Sequence, residues 1–229
     1  MFAPSLALFL FVLSFNSVAS TYIATDESPL SFWGITNKEN QMRLSQAKYD
    51  SILMFGDSIT QGLNQNGLHF EYANLGIAGD TVQGIFRRVK ETDVSKYKGI
   101  FIEVGTNNLL RAQSAQDLST EIGGLITYAA SAAKFVYVSE IFVPDIKKYT
   151  QVDKDFRIVN DSIHSTCNKY ENCIVVKIPN GIIGKNGINA NMSIDDNVHL
   201  NGEAYRKWKV ELNKSMAPFP YGTFYRTFK

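Results

Sequence analysis

Apolar residues follow two alternating patterns along this chain between residues 51 and 215. Short apolar runs end in Gly, Asn or Asp, and longer segments between them repeat apolar residues every three or four positions. Such runs are typical of buried strands, and such segments of amphipathic helices. The runs predict strands at residues 51–55, 70–75, 99–104, 134–139 and 173–178. The periodic segments predict helices from about residue 59 and at residues 81–91, 114–133, 153–170 and 202–215, with Asp80 capping the second.

Short strands alternating with amphipathic helices indicate an α/β fold, with a parallel sheet covered on both faces. The 229 residues fit one domain, and no repeat or linker interrupts the pattern. Residues 21–49 are polar and irregular, so we expect them to form an N-terminal arm around a domain at residues 50–229.

The first twenty residues differ from the rest of the chain. Residues 6–13 are apolar, no charged side chain occurs before Asp26, and small residues follow at 17–20. This pattern predicts a signal peptide at residues 1–20, cleaved after Ala19 or Ser20, because the apolar run is too short to span a membrane. An uncleaved anchor is the alternative, since no Lys or Arg precedes the run. We therefore expect a secreted or periplasmic, extracytoplasmic protein.

Charge and cysteine content limit the possible partners. The 23 basic and 22 acidic residues nearly cancel, so we expect no nucleic-acid partner and no membrane insertion after signal cleavage. Cys167 and Cys173 could close a small loop between a helix end and a strand in an oxidising compartment, or remain two free thiols. With two cysteines and three histidines, a structural zinc site is not expected.

Polar glycine motifs follow three of the predicted strands. They are Gly56–Asp–Ser58, the segment 74–81 with Gly79, and Gly105–Thr–Asn107–Asn108. Each alone is typical of loops, and Asp57 or Ser58 could simply cap a helix. In a parallel sheet, however, all three arrive at one edge. There they place a serine hydroxyl, a glycine backbone and an amide around one crevice, which are the groups that acyl transfer requires.

A serine nucleophile also needs a base, and His199 is the histidine best placed for that role. It lies in a long loop before the last helix, which can fold back over the strand ends with Leu200 as its anchor. Asp196 precedes it by three residues and can orient it, although spacing alone does not exclude Asp195.

The other two histidines are predicted to be structural or exposed. His69 lies at the start of a strand. Asp161 and His164 have the same spacing as Asp196 and His199, but they fall within a regular helix, so we expect a solvated pair one turn apart.

Four blocks follow one another along the chain: Gly56–Asp–Ser–Ile–Thr60, Gly76–Ile–Ala–Gly–Asp80, Gly105–Thr–Asn–Asn108 and Asp196–Asn–Val–His–Leu200. In this order they resemble the SGNH hydrolases, also called GDSL-type esterases and lipases, and the resemblance covers the whole predicted domain. The third block is similar to that of the acetylhydrolase-like branch, which cleaves acetyl esters.

The resemblance implies a flavodoxin-like three-layer α/β/α sandwich whose five-stranded parallel sheet has the order 2-1-3-4-5. It implies that Ser58 is the nucleophile, His199 the base and Asp196 the acid that orients it. It further implies an oxyanion hole formed by the Ser58 N–H, the Gly79 N–H and the Asn107 side-chain amide. Two positions depart from the commonest pattern of the family. Asn108 stands where many members carry Asp, and Asn197 stands where glycine is frequent.

The expected function is a secreted serine esterase that works through an acyl-enzyme without metal or organic cofactor. The expected partner is a small-molecule or carbohydrate ester, most readily an acetyl ester. Alternatives are a lysophospholipase or thioesterase with the same residues, or a non-catalytic carbohydrate-binding protein on this scaffold. A nucleotide-binding fold is disfavoured, because the glycines at 76 and 79 lack the full phosphate-binding fingerprint. The aromatic segment 219–228 is predicted to pack on the domain, or else to serve substrate binding or dimerisation.

Overall fold

The computed structural model describes residues 26–145 and 152–216. The strands are β1 (Ile52–Gly56), β2 (Tyr72–Gly76), β3 (Gly99–Glu103), β4 (Val136–Ser139) and β5 (Cys173–Val176). The helices are α1 (Phe32–Gln46), α2 (Ser58–Gln61), α3 (Val82–Glu91), α4 (Thr106–Leu110), α5 (Ala115–Ala132), α6 (Val152–Cys167) and α7 (Gly202–Met216). The predicted signal peptide and the aromatic segment 219–228 lie outside the described residues.

The five strands form one parallel sheet in the order β2-β1-β3-β4-β5, which confirms the predicted topology. The register places Gly56 beside Gly76 on one side and beside Glu103 on the other. The carboxyl ends of β1, β2 and β3 therefore lie level with one another. The loops that follow these strands leave the sheet at one edge, where open α/β sheets bind their ligands.

Both faces of the sheet are covered, as the continuous apolar runs predicted. Side chains of β1 alternate between the faces, with Leu53 and Phe55 on one and Ile52 and Met54 on the other. Helices α3, α5 and α6 bury the first face, whereas α7 and the long loop after β5 bury the second. Every residue of β1 is therefore buried, directly before the turn that carries Ser58.

Most helix boundaries agree with the periodic pattern, and three details differ. Thr81 rather than Asp80 caps α3, through an oxygen that accepts from the Gly84 N–H. The predicted helix at residues 153–170 ends at Cys167, and the short helix α4 was not predicted at all. Asp80 lies just before this cap, and its carboxylate accepts from the Thr81 N–H as well as from Trp33 and Arg88.

Within the predicted N-terminal arm at residues 21–49, residues 32–46 are not irregular as expected, because they form α1. Ser31 caps α1, accepting a hydrogen bond from the Gly34 N–H. The residues that α1 buries are Trp33, Thr36 and Asn40, while Phe32 faces solvent. Since the buried face is largely polar, α1 shows no apolar period that sequence inspection could detect.

Cys167 and Cys173 form a disulfide, so the two-thiol alternative was wrong. The bond joins the last residue of α6 to the first residue of β5, at the edge of the sheet opposite the glycine motifs. In the parts of the chain that the structure describes, no helix has the length and apolar character needed to cross a membrane.

Candidate active site

Hydrogen bonds bring the three glycine motifs together at the carboxyl edge of the sheet. The Asn107 side-chain amide, from α4 after β3, donates to Asp57 Oδ2 and to the Asp80 backbone oxygen, both at 3.1 Å. Asp57 directly precedes Ser58, and Asp80 directly follows Gly79. One amide thus joins the loops after β1, β2 and β3. Ser58, Gly79 and Asn107 are each only partly buried, so all three remain accessible at the surface.

Close packing under Ser58 requires the glycine at the end of β1. A Cβ atom on Gly56 would lie 2.0 Å from Thr60 Oγ1 and 3.0 Å from the Glu103 backbone oxygen. Gly56 thus lets α2 begin directly against the sheet. Asp57 Oδ1 accepts from the Ile59 N–H at 2.9 Å, so Asp57 is the residue that caps α2. The Ser58 hydroxyl is left to face the crevice.

Ser58, His199 and Asp196 form a continuous hydrogen-bonded chain. His199 Nε2 lies 2.8 Å from Ser58 Oγ, and His199 Nδ1 lies 2.5 Å from Asp196 Oδ2. Among the described residues, the carboxylate that bonds to His199 is that of Asp196 rather than that of Asp195, the other candidate for orienting it. The residues come from opposite ends of the domain sequence, yet the fold places them side by side.

The charge of Asp196 determines how this chain is protonated. Partial burial raises its pKa, but hydrogen bonds from His199 and from the Val198 N–H outweigh burial and lower the pKa to about 2. An ionised carboxylate can only accept hydrogen bonds, so His199 Nδ1 must donate to it. His199 Nε2 is then the ring nitrogen left to accept a hydrogen bond from the Ser58 hydroxyl.

The loop that carries His199 is closed by bonds at its base. Ser193 and Leu200 form an antiparallel bridge, and Ser193 Oγ donates to the His199 backbone oxygen at 2.9 Å. Leu200 is buried in the core below, as predicted. Asn197 lies at the tip with a φ of +59°, a conformation that asparagine adopts more readily than most residues.

Gly79 also has a left-handed backbone, with a φ of +77°. Two partly exposed polar side chains hold its loop in place. Arg111 Nη2 donates to the Gly79 backbone oxygen at 2.8 Å, and Gln61 Oε1 accepts from the Ala78 N–H at 2.7 Å. The loop beside Ser58 is thus fixed from α2 on one side and from the end of α4 on the other.

The model of the GDSL-like lipase/acylhydrolase family matches residues 54–207, which contain every residue of this site. The chain belongs to that family. Among curated proteins, no sequence matches the chain significantly.

Solved structures share the fold of this GDSL hydrolase at low sequence identity. A Streptococcus pneumonia protein provisionally described as a platelet activating factor is 15% identical, with a TM-score of 0.67 over 79% of this chain and 90% of its own. The psychrotrophic esterase EstA from Pseudoalteromonas, inhibited by monoethylphosphonate, is 19% identical, with a TM-score of 0.58 over 72% and 96%. A GDSL-like lipase from Bacteroides thetaiotaomicron is 17% identical, with a TM-score of 0.60 over 78% and 95%.

The departure from the commonest GDSL pattern at Asn108 has a structural explanation. Its side chain is fully buried, and its Oδ1 accepts from the Val82 N–H at 3.1 Å. Its Nδ2 donates to the side-chain oxygens of Gln83 and Gln113, at 3.2 and 2.7 Å. An aspartate would bring a charged oxygen against those two acceptors, whereas asparagine satisfies all of them.

The remaining histidines of this GDSL hydrolase lie away from Ser58. His69 is exposed, and its backbone N–H donates to Asn213. The predicted pairing of His164 with Asp161 was wrong: His164 Nε2 lies 2.8 Å from Glu140 Oε1. Glu140 follows β4, so His164 of α6 contacts a neighbouring loop rather than its own helix.

Sequence inspection missed a group of buried ionisable side chains directly beneath the site. Asp57, Asp80 and Glu103 are at most 1% exposed, and Arg88 is 4% exposed. Arg88 Nη2 pairs with Asp80 Oδ2 at 2.5 Å, and Thr60 Oγ1 donates to Glu103 Oε2 at 3.0 Å. The sequence did carry one indication of this group, because Glu103 is an acidic residue in an otherwise apolar strand. Within the described residues, no group of three or more His, Cys, Asp or Glu is arranged to hold a metal ion.

Proposed function

We propose that this GDSL hydrolase is a secreted serine esterase that cleaves carboxylic esters through an acyl-enzyme. The hydrogen-bonded chain from Ser58 through His199 to Asp196 carries the proposal. In it, Ser58 is the nucleophile, His199 the general base and Asp196 the carboxylate that orients His199 and stabilises its charged form.

In the first half of the reaction, Ser58 Oγ attacks the ester carbonyl while His199 Nε2 takes the hydroxyl proton. The carbonyl oxygen becomes an oxyanion, stabilised by the Ser58 N–H, the Gly79 N–H and the Asn107 side-chain amide. His199 then gives its proton to the leaving alcohol. In the second half, His199 activates a water molecule, which attacks the acyl-enzyme and releases the acid.

Asn107 must rearrange slightly to act as an oxyanion donor. Its two amide protons are directed to Asp57 Oδ2 and to the Asp80 oxygen, both at 3.1 Å. These are long bonds, and a developing negative charge is a stronger acceptor than a neutral carbonyl oxygen. One of the two protons is therefore shared with the oxyanion as the substrate carbonyl arrives.

The substrate that the site favours is a short-chain ester, most readily an acetyl ester of a carbohydrate or other small alcohol. Gln61 and Arg111 flank the Gly79 loop, and both are polar and partly exposed. A polar rim suits a hydroxyl-rich alcohol better than a long acyl chain. The proposed export is supported by the Cys167–Cys173 disulfide, because such bonds persist in oxidising compartments.

An ester panel tests this proposal. We expect kcat/KM for nitrophenyl acetate to exceed that for nitrophenyl decanoate, with acetylated sugars cleaved and lysophospholipids untouched. Faster release of decanoate would contradict the short-acyl preference and favour the lysophospholipase or thioesterase alternative. The control is Ser58→Ala, which should be inactive on every ester. Sugar binding without turnover by the wild-type protein would instead support a non-catalytic role.

A further inference from the structure

A pair of buried acids lies directly under the nucleophile, and the proposed reaction assigns it no role. Glu103 is the register neighbour of Gly56, the residue before Asp57. The side chains of Asp57 and Glu103 lie close enough that each shifts the pKa of the other. Two ionised carboxylates would have no proton to share, so a hydrogen bond between them forms only if one of the pair is protonated.

The surroundings show which acid carries the proton. Both oxygens of Asp57 already accept hydrogen bonds, from the Ile59 N–H and from the Asn107 amide. Glu103 Oε2 accepts from Thr60 Oγ1, but Glu103 Oε1 is buried and has no donor among the described residues. An oxygen left unsatisfied there would be costly, whereas a hydroxyl donating to Asp57 is fully satisfied.

Electrostatics point the same way. Burial raises the pKa of Asp57 to about 6. Burial, together with the charge of Asp57, raises the pKa of Glu103 well above its usual range. Near neutral pH the stable arrangement is therefore a charged Asp57 and a neutral Glu103.

Other charged and titratable groups face the pair from several elements. His199, from the loop before α7, favours the charged form of Asp57, whereas Asp80 disfavours it. Asp80 is itself paired with Arg88 of α3. Tyr205 of α7 lies close enough that both acids contribute to raising its pKa, after the larger effect of its burial. A second negative charge in this setting would be strongly disfavoured.

We infer that Glu103 is a positioning residue, a neutral acid whose hydroxyl donates to Asp57 and so fixes the start of α2 and the Asn107 amide for catalysis. The inference rests on the proposed function of Asn107 as an oxyanion donor. Asp57 holds both the N–H of α2 and the amide of Asn107. With Glu103 as a further donor, Asp57 stays satisfied when Asn107 shares a proton with the oxyanion.

Two substitutions of nearly equal size separate this role from simple packing. In Glu103→Gln, the amide donates to Asp57 and its oxygen still accepts from Thr60, so kcat should stay within about 3-fold of wild type. In Glu103→Leu, the donor is lost, and kcat should fall about 10- to 100-fold with little change in KM, since loss of one oxyanion donor costs about 100- to 1,000-fold. Melting temperatures of both variants identify any failure to fold.

A double-mutant cycle tests whether Glu103 acts through Asn107. In an Asn107→Ala background, Glu103→Leu should lower kcat by less than about 3-fold, because the group that it positions is already absent. An equal loss in both backgrounds would overturn the inference, as would a Glu103→Gln variant as impaired as Glu103→Leu. Activity remaining in Ser58→Ala would instead overturn the proposed function itself.

The pH profile of kcat gives a test that does not depend on the leucine variant folding. At alkaline pH, Glu103 of the wild type loses its proton and its hydrogen bond to Asp57, so kcat should decline. Glu103→Gln cannot ionise and should keep its plateau to higher pH. Identical alkaline limbs for the two proteins would contradict a neutral, donating Glu103.

Discussion

At the scale of single residues, Asp196 is more than a neighbour of the base. It accepts from the ring of His199 and also from the backbone N–H groups of Val198 and His199. These bonds hold Asp196 ionised, with a pKa of about 2, despite the opposing effect of partial burial. The carboxylate is therefore charged at every pH at which the enzyme would be assayed.

Asp196→Asn should lower kcat by about 100- to 10,000-fold on nitrophenyl acetate, with KM nearly unchanged. The amide cannot enforce the tautomer in which His199 Nε2 is free to accept the Ser58 proton. Asp195→Asn is the matched control and should retain wild-type kcat, because the hydrogen bonds to His199 come from the adjacent Asp196. A larger loss of kcat in Asp195→Asn than in Asp196→Asn would show that Asp195, and not Asp196, orients His199.

The residues of the candidate site differ in how far sequence could reveal them. Ser58, Gly79 and Asn107 follow strands within recognisable motifs, so topology alone predicts that they meet. Glu103 and Trp33 have no such motif. Their roles depend on which side chains face them across the fold, and that information is not local in sequence.

At the scale of elements, α1 contributes to the site from outside the region that the family model matches. Trp33 Nε1 donates to Asp80 Oδ1 at 2.8 Å, and Asn40 Nδ2 donates to the Gly76 oxygen at 3.2 Å. Asp80 belongs to the loop that presents Gly79, and Gly76 is the last residue of β2, directly before that loop. The helix therefore supports the proposed oxyanion cradle through Asp80, whose backbone oxygen accepts from Asn107.

Trp33→Phe should destabilise the protein by about 1–3 kcal/mol, because Asp80 loses a buried donor. We expect kcat to fall as well, since the loop that carries Gly79 loses one of its anchors. Chemical denaturation and steady-state kinetics check both effects. Phe32→Ala, on the exposed face of the same helix, should change stability by less than about 0.5 kcal/mol. Equal losses of stability and of kcat in Trp33→Phe and Phe32→Ala would contradict a specific role for the hydrogen bond between Trp33 and Asp80.

The disulfide belongs to the opposite edge of the sheet and should affect stability without affecting catalysis. Replacing both Cys167 and Cys173 with serine should lower the free energy of unfolding by about 2 kcal/mol, since the bond closes only a short loop. The kcat at 25 °C should stay within about 2-fold of wild type. A large loss of kcat with an unchanged melting temperature would contradict this assignment.

Strands and helices that bury apolar side chains were predicted well, whereas helices that bury polar side chains were missed. The strands and helices from β1 to α7 alternate as expected, because apolar side chains fill both faces of the sheet. The helix α1 escaped prediction because it buries Thr36 and Asn40 alongside Trp33. The short α4 escaped because Thr106, Asn107 and Asn108 directly follow Gly105 and are residue types typical of turns.

At the scale of the whole molecule, the buried acids make stability depend on pH. Asp57 and Glu103 have raised pKa values in the native state, so the native state holds protons that the unfolded chain has released. The contribution of these two acids to the free energy of unfolding is complete at pH values below their unfolded-state pKa values, near 4. It is lost as pH rises through their native-state pKa values. Asp196, with its lowered pKa, acts in the opposite sense and only below about pH 4.

We therefore expect the free energy of unfolding to fall as pH rises from 5, by up to about 1.4 kcal/mol per pH unit for each protonated buried acid. Urea denaturation at pH 5, 6, 7 and 8 measures the slope. Glu103→Gln removes one of these acids and should show a shallower slope than wild type. Equal slopes in the two proteins would mean that Glu103 is ionised in the native state.

The proposed acyl-enzyme chemistry places one reactive hydroxyl, that of Ser58, at the end of the chain formed by His199 and Asp196. A nitrophenyl ethylphosphonate ester tests this most directly, because the nucleophile should attack phosphorus and remain covalently modified. We predict a single adduct per chain in the intact mass, located by peptide mapping on Ser58, with activity lost in proportion, and no adduct or activity in Ser58→Ala. Inactivation with the adduct on another residue, or ester hydrolysis by Ser58→Ala at the wild-type rate, would contradict the proposed nucleophile.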